Sequence, residues 1–103
     1  MEQIERIQTM ELYLDRASQA VMRLSAALDD YAEAQTAIRE LSVYYGSDEW
    51  HQDFTDDEQG RLPKDLKRGV LSEDGVWNML EDSRALNIRM LEVVTDILKL
   101  PEN

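Results

Sequence analysis

Residues 1–45 read MEQIERIQTMELYLDRASQAVMRLSAALDDYAEAQTAIRELSVYY and contain neither Gly nor Pro. Because these two residue types interrupt helices most strongly, the stretch predicts one long helix over residues 2–45. The first Gly of the chain, Gly46, marks its expected end. A helix of this length indicates an all-α protein.

The apolar residues of this stretch recur every seven positions in two series, which is the spacing of a coiled-coil seam. We call the following residues the apolar seam: Ile7, Leu14, Val21 and Leu28 in one series, and Met10, Ala17, Leu24, Tyr31, Ile38 and Tyr45 in the other. Gln35 alone interrupts the first series. Small or apolar side chains flank the seam, namely Tyr13, Ala20, Ala27, Ala34 and Leu41. A stripe this wide is typical of a helix that touches two neighbours in a bundle.

A second helix is predicted from Ser72 to about Leu100, where Pro101 stops it. The Ser72 hydroxyl can accept a free backbone N–H at the start of the helix. Gly75 in the first turn costs roughly 1 kcal/mol relative to Ala, unless packing there requires the absence of a side chain. The apolar stripe of this helix comprises Val76, Met79, Leu86, Met90, Val93, Ile97 and Leu100, widened by Leu80, Leu91, Val94 and Leu98.

At 1.5 Å per residue the two helices would be roughly 65 and 43 Å long, so one hairpin covers neither completely. Two arrangements could cover the remaining apolar surface. The first helix could break near Asp30, which has capping-box spacing to Glu33, or two chains could pair. The unbroken periodicity favours pairing. We therefore predict a single helical domain over residues 1–103, a long helical hairpin or small helical bundle that forms a homodimer.

Residues 46–71, which we call the connection, reverse in charge along their length. The part up to Gly60 carries six carboxylates and no Lys or Arg, whereas residues 61–71 carry four basic groups and one acid. Ser47 predicts an N-terminal cap for a short helix from about 48 to 58, which Gly60 ends. Adjacent stretches of opposite sign predict salt bridges between them, and an anion site at Lys64, Lys67 and Arg68 is the competing interpretation.

Aromatic residues are concentrated around the connection. Five of the seven aromatic residues lie in or next to it: Tyr44, Tyr45, Trp50, Phe54 and Trp77. We expect these five side chains to pack the connection across the ends of the long helices. Trp50 stands among carboxylates, so it is either the anchor of the connection or an exposed hot spot for a partner, and we favour the anchor. The candidate interaction surface comprises Trp50, Asp53, Asp57, Asp65, Lys67 and Arg68.

Composition excludes several classes of function. A net charge of −11 repels nucleic acids and anionic membranes, and the absence of Cys excludes thiol catalysis and Cys-ligated metals. The calcium-loop pattern that starts at Asp53 fails, because Glu58 stands where Gly is required. His51 is the single His and has no nucleophile at catalytic spacing. We predict no catalytic, metal or cofactor residues, and neither a nucleic-acid nor a membrane partner.

The N-terminal residues lack the basic and apolar regions of a signal peptide, and no window has the length of a spanning segment. The sequence therefore predicts a cytoplasmic protein.

The middle of the chain resembles a known bacterial family. The motifs that carry the resemblance are Tyr44-Tyr45-Gly46-Ser47, Glu49-Trp50, Asp57, Gly60, Leu62-Pro63 and the run DLKRGVLSED over residues 65–74. The family is known only as domain of unknown function 4298, and the resemblance spans nearly the whole chain. It implies a small helical domain and brings no activity or catalytic residues.

Three functions remain open at this level. The leading hypothesis is a non-enzymatic protein–protein interaction or regulatory module, with the connection as its partner-facing surface. The alternative is a protein that binds a small ligand or a divalent metal through the charged connection. Net charge alone suggests a third, an acidic mimic of nucleic acid.

Overall fold

The computed structural model describes residues 2–99. It contains three α-helices, α1 (Gln3–Tyr44), α2 (Asp48–Glu58) and α3 (Gly75–Lys99), and a short 3-10 helix (Gly69–Leu71) between the last two. No strand occurs in the described range. The all-α class predicted from the sequence is confirmed. The predicted end of the last helix at Leu100 and its stop at Pro101 lie outside the described residues.

Helix α1 is continuous over its 42 residues, so the alternative with a break near Asp30 is wrong. The helix ends at Tyr44, and Gly46 follows with a positive φ of 82°. Only Gly adopts this backbone conformation without steric strain, which explains why the chain turns there.

The chain divides into two compact units, one up to Thr36 and one that begins at Ala37. In the described residues the first unit consists of the part of α1 up to Thr36, and no side chain of α1 is buried. Six side chains of the apolar seam are between 44 and 68% exposed: Ile7, Met10, Leu14, Val21, Leu24 and Leu28. The single domain predicted from chain length stays a prediction.

The second unit has a small core of its own. Its buried apolar side chains are Trp50 of α2, Leu71 of the 3-10 helix and Val76 of α3. The 3-10 helix contacts both α2 and α3, so it joins the two helices that follow α1. This short segment explains how the connection acquires a defined structure with so few buried residues.

Helix α3 begins three residues later than the sequence predicts. The Ser72 hydroxyl accepts the backbone N–H of Gly75 at 3.0 Å, as predicted for a capping residue. The same hydroxyl donates to the Gly69 carbonyl at 2.8 Å, and the Ser72 backbone is extended. Ser72 thus closes the 3-10 helix and caps the turn before α3, and the regular helix starts only at Gly75.

Helix α2 agrees with its predicted boundaries. Ser47 accepts the backbone N–H of Trp50 at 3.1 Å, which satisfies one free donor of the first turn. Gly60 follows the helix with a positive φ of 69°. Within residues 2–99, no helix combines the length and the apolar character that crossing a membrane requires.

Candidate functional site

Trp50 is the anchor of the connection. Its side chain is only 8% exposed, and its indole Nε1–H donates to the Val70 carbonyl at 2.8 Å. A buried indole needs such a partner, because an unpaired N–H in the interior is costly. The hydrogen bond ties α2 to the 3-10 helix across 20 residues of chain. Because Trp50 is buried, it is the anchor of the connection and not an exposed hot spot.

Aromatic rings surround Trp50. Phe54, one turn further along α2, stacks on the indole at 5.1 Å between ring centroids, and Tyr45 meets it edge-on at 5.2 Å. His51 contributes another edge contact at 5.2 Å. The Tyr45 hydroxyl donates to the Glu73 carbonyl at 3.0 Å and so reaches the turn before α3. The cluster therefore holds three parts of the second unit together.

Trp77 does not belong to this cluster. The sequence predicts that Trp77 packs the connection, but it lies in the first turn of α3 and is 53% exposed. Its neighbour Val76 is buried in its place. Successive helical positions are about 100° apart around the axis, so only one of these two residues can face the core. An exposed Trp is a residue type common at binding hot spots, and the sequence pattern alone did not mark it as exposed.

Tyr44 and Asp53 form a short hydrogen bond next to the anchor. The Tyr44 hydroxyl donates to Asp53 Oδ2 at 2.6 Å. Burial, the hydrogen bond to Asp53 and the negative charges of Asp53 and Glu49 together raise the pKa of Tyr44 to about 12, with burial as the largest cause. The pair links the end of α1 to α2, and Asp53 is half-buried.

Arg68 folds back onto the acidic helix. Its Nε donates to Asp57 Oδ1 at 2.7 Å, and Nη2 and Nη1 donate to the carbonyls of Pro63 and Lys64 at 2.7 and 3.1 Å. A second ion pair joins Arg61 to Asp56 at 3.2 Å. Both ion pairs connect the basic part of the connection to α2, so the predicted internal salt bridges are confirmed. The guanidinium of Arg68 therefore binds groups of its own chain.

The remaining predicted site residues, Asp65 and Lys67, are exposed. The structure therefore separates the six candidates into two groups. Trp50, Asp53, Asp57 and Arg68 hold the connection together, whereas Asp65 and Lys67 face solvent. Among residues 2–99, no three His, Asp or Glu side chains lie close enough to hold a metal ion.

Lys67 borders a shallow groove of about 480 Å³ within the second unit. The groove is lined by Leu41, Lys67, Gly69, Val70, Gly75, Val76 and Met79. Its surface is mainly apolar, with one ammonium group at the edge. Nothing in the sequence pattern located this groove, because its lining comes from α1, the connection and α3, which are far apart along the chain.

The apolar stripes of α1 and α3 are exposed to solvent. On α3, Leu86, Val93 and Ile97 of the predicted stripe are exposed, together with Leu91, Val94 and Leu98 beside it. The apolar seam of α1 is exposed as described above. Both stripes are candidate binding surfaces, since water-facing apolar residues at regular helical spacing are typical of association faces.

Comparison with known protein families identifies a match for this chain. The family described as a domain of unknown function (DUF4298) matches residues 7–93. No curated protein and no solved structure matches the chain. The match covers the whole apolar seam, the whole connection and most of α3, and it confirms the resemblance that the middle motifs indicate. The chain belongs to the DUF4298 family.

Proposed function

We propose that this protein is a non-enzymatic protein–protein interaction module that forms a homodimer through its apolar stripes and presents its connection to a further partner. The exposure of six seam side chains on α1 carries this proposal. The seam repeats every seven residues, and this spacing is typical of helices that pack lengthwise against another helix. A second copy supplies such a helix. The predicted hairpin or bundle arrangement is part of this proposal.

Leu12 and Leu14 offer a matched pair for the test. Both lie on α1 and both are exposed, at 69% and 59%, but only Leu14 belongs to the apolar seam. Partial burial of a leucine side chain stabilises an interface by about 1 kcal/mol, and a symmetric dimer contains each residue twice. Replacing Leu14 by Asp also places a charge in the interface. Leu14→Asp should therefore weaken the dimer more than about tenfold, whereas Leu12→Asp should not.

Sedimentation equilibrium at micromolar concentration measures this difference. We expect a dimer for the wild type and for Leu12→Asp, and a monomer for Leu14→Asp. Circular dichroism of each variant checks that its helices remain. A wild-type protein that sediments as a monomer would contradict dimerisation, and equal behaviour of the two variants would place the interface elsewhere.

The partner-facing surface proposed for the connection consists of its exposed residues. Asp65 and Lys67 are the exposed members of the original candidate set, and Trp77 lies exposed at the start of α3. Trp50 and Arg68 support this surface from within, since their polar groups bind the backbone of the connection. Their role is to fix its shape.

A pull-down with variants of exposed residues tests this surface without disturbing the anchor. Lys67→Glu is the test bait, and Arg84→Glu, on an exposed position of α3, is the control with the same change of charge. We expect a stoichiometric partner that is lost with Lys67→Glu and retained with Arg84→Glu. Loss with both baits would show a general effect of charge and contradict a surface at the connection.

The groove beside Lys67 supports the second candidate function, the binding of a small ligand. Apolar lining with one ammonium group at the edge suits a small apolar molecule that carries an anionic group. Thermal-shift titration with medium-chain carboxylates tests this candidate, with Lys67→Met as the control. A shift that is equal in the wild type and in Lys67→Met would count against it. The divalent-metal version has less support, because Asp57 and Asp53 already bind Arg68 and Tyr44.

A further inference from the structure

We propose that the two copies pair their α1 helices in antiparallel orientation, with Leu24 opposite Leu28 of the partner subunit. This inference rests on the proposed homodimer and adds the direction and register of the pairing. Two independent features of α1 support it. One is the size of the side chains along the apolar seam, and the other is the distribution of charge along the helix.

A parallel, in-register pair places each seam residue opposite its own copy. Ala17 would face a second Ala, which leaves that layer of the interface underfilled. Tyr31 would face a second Tyr, which overfills its own layer. Interiors are close-packed, so both gaps and excess volume destabilise an interface. Gln35 would also face a second Gln at the apolar core. The parallel arrangement therefore fits this seam poorly.

The antiparallel register removes these mismatches. Val21 lies opposite the partner's Tyr31, and Ala17 lies opposite the partner's Gln35, so these two layers each combine a larger with a smaller side chain. The Gln35 amide already donates to the Tyr31 carbonyl of its own helix at 3.0 Å. The amide N–H of Gln35 therefore keeps a hydrogen-bond partner when a second copy covers this face of the helix. This partner lowers the cost of burying the Gln35 side chain.

Charge is unevenly distributed along α1. Residues 3–25 carry three acidic and three basic side chains, whereas residues 26–44 carry four acidic and one basic. Helix α2, which follows, adds further carboxylates. Parallel pairing would bring the two acidic halves together. Antiparallel pairing places each acidic half beside the balanced half of the other chain, which reduces the repulsion between the copies.

Individual charges next to the seam agree with the same register. Glu11 and Arg39 occupy equivalent heptad positions at opposite ends of α1. In the antiparallel register Glu11 lies opposite the partner's Arg39, twice by symmetry. Opposite charges at these flanking positions set the orientation and partner choice of coiled coils.

Single cysteines test the orientation directly, because the chain contains no Cys of its own. Ala27 is adjacent to its own copy only in the antiparallel register, and Met10 is adjacent to its own copy only in a parallel dimer. Gln19 lies on the opposite side of the helix in either case. The experiment oxidises Ala27→Cys, Met10→Cys and Gln19→Cys with glutathione disulfide under native conditions and measures the disulfide-linked dimer on a non-reducing gel.

We expect most of the Ala27→Cys chains to cross-link, and Met10→Cys and Gln19→Cys to remain uncross-linked. Cross-linking of Met10→Cys without Ala27→Cys would establish parallel pairing and overturn the proposal. A dimer in sedimentation without cross-linking of Ala27→Cys would also overturn it, since the register would then be different. A monomer in sedimentation would remove the homodimer itself, so failure of the proposed function is distinguishable from failure of the orientation.

Charge reversal supplies a second, independent test. Glu11→Lys should weaken the dimer several-fold, and adding Arg39→Glu should restore it in the antiparallel register. In a parallel dimer Glu11 would instead lie beside the partner's Arg6, so Glu11→Lys with Arg6→Glu would be the pair that restores association. Restoration by Arg6→Glu and not by Arg39→Glu would overturn the proposal.

Discussion

At the scale of single residues, Tyr44 shows how burial and nearby carboxylates change the acidity of a side chain. The phenol donates to Asp53, and burial together with nearby negative charge raises its pKa to about 12 from the ordinary 10.0. Below pH 10 the phenol is protonated in both the folded and the unfolded chain, and its contribution to stability is complete. As the pH rises towards 12 the unfolded chain ionises first, so this contribution is lost.

Tyr44→Phe tests this assignment. The near-ultraviolet absorbance of tyrosinate should show that the wild type has a group titrating near pH 12 that the variant lacks. The free energy of unfolding of the wild type should fall more steeply than that of Tyr44→Phe between pH 10 and 12. Equal slopes for the two proteins in this range would contradict the raised pKa.

Gly75 shows why a helix-disfavouring residue stands in the first turn of α3. A Cβ at this position would lie 2.5 Å from Ser72 Oγ and 2.6 Å from the Gly69 carbonyl oxygen. The second atom belongs to the backbone and cannot move away cheaply. The structure thus bears out the second of the two alternatives for Gly75, that packing there requires the absence of a side chain.

Gly75→Ala should destabilise the protein by about 1–2 kcal/mol, because overpacking outweighs the gain in helix propensity. Gly69→Ala is the control, since no atom lies within 4 Å of a Cβ built there. Its effect should be within about 0.5 kcal/mol. Chemical denaturation measures both. A stabilised Gly75→Ala variant would show that the close approach does not persist in solution.

At the scale of elements, the connection is held by two contacts, which join residues 11 and 20 positions apart in the sequence. Arg68 joins the segment before the 3-10 helix to α2 through Asp57, and Trp50 joins α2 to the 3-10 helix through Val70. The two interactions have different characters. The first is a partly exposed ion pair with additional bonds to backbone carbonyls, and the second is a buried hydrogen bond within an aromatic cluster.

A double-mutant cycle measures the ion pair. The side chains of Arg68 and Asp57 are 35 and 24% exposed, so solvent screens their attraction only in part. We expect Arg68→Met and Asp57→Asn to show a coupling energy of about 1 kcal/mol. Arg61→Met with Asp56→Asn, at the more exposed pair, should show less than about half of this. Equal coupling in the two cycles would contradict the structural role given to Arg68.

At the scale of the whole molecule, the exposed apolar seam of α1 predicts that thermal stability depends on dimerisation. If a dimer is the folded form, its melting temperature rises with protein concentration, because mass action favours the associated state. Thermal unfolding followed by circular dichroism should show this rise for the wild type and for Leu12→Asp, and not for Leu14→Asp. A melting temperature independent of concentration in the wild type would contradict coupled folding and association.

Several features of this protein could be predicted from the sequence because they depend on single residues or on adjacent stretches of the chain. The extent of α1 follows from the absence of Gly and Pro, and the limits of α2 follow from Ser47 and Gly60. The salt bridges of the connection follow from two adjacent stretches of opposite charge. Membership of the family follows from motifs in the same region.

Other features were decided only by the tertiary structure. The sequence presents Trp50 and Trp77 as similar aromatic residues, yet one is buried and the other faces solvent. The close approach at Gly75 depends on the path of the chain after Arg68, and so does the groove beside Lys67. The 3-10 helix, which delays the start of α3, has the same origin.

The physical reason for this division is the range of the forces. Helix propensity, capping and charge pairing between neighbours act over one or two turns, so a linear pattern contains them. Burial of a side chain depends on which distant segment covers it, and that is determined by the three-dimensional course of the backbone. In this protein the sequence alone therefore determines α1, α2 and the apolar faces of the long helices. The tertiary structure decides where α3 begins, which aromatic residue is the anchor and which residues of the connection remain exposed.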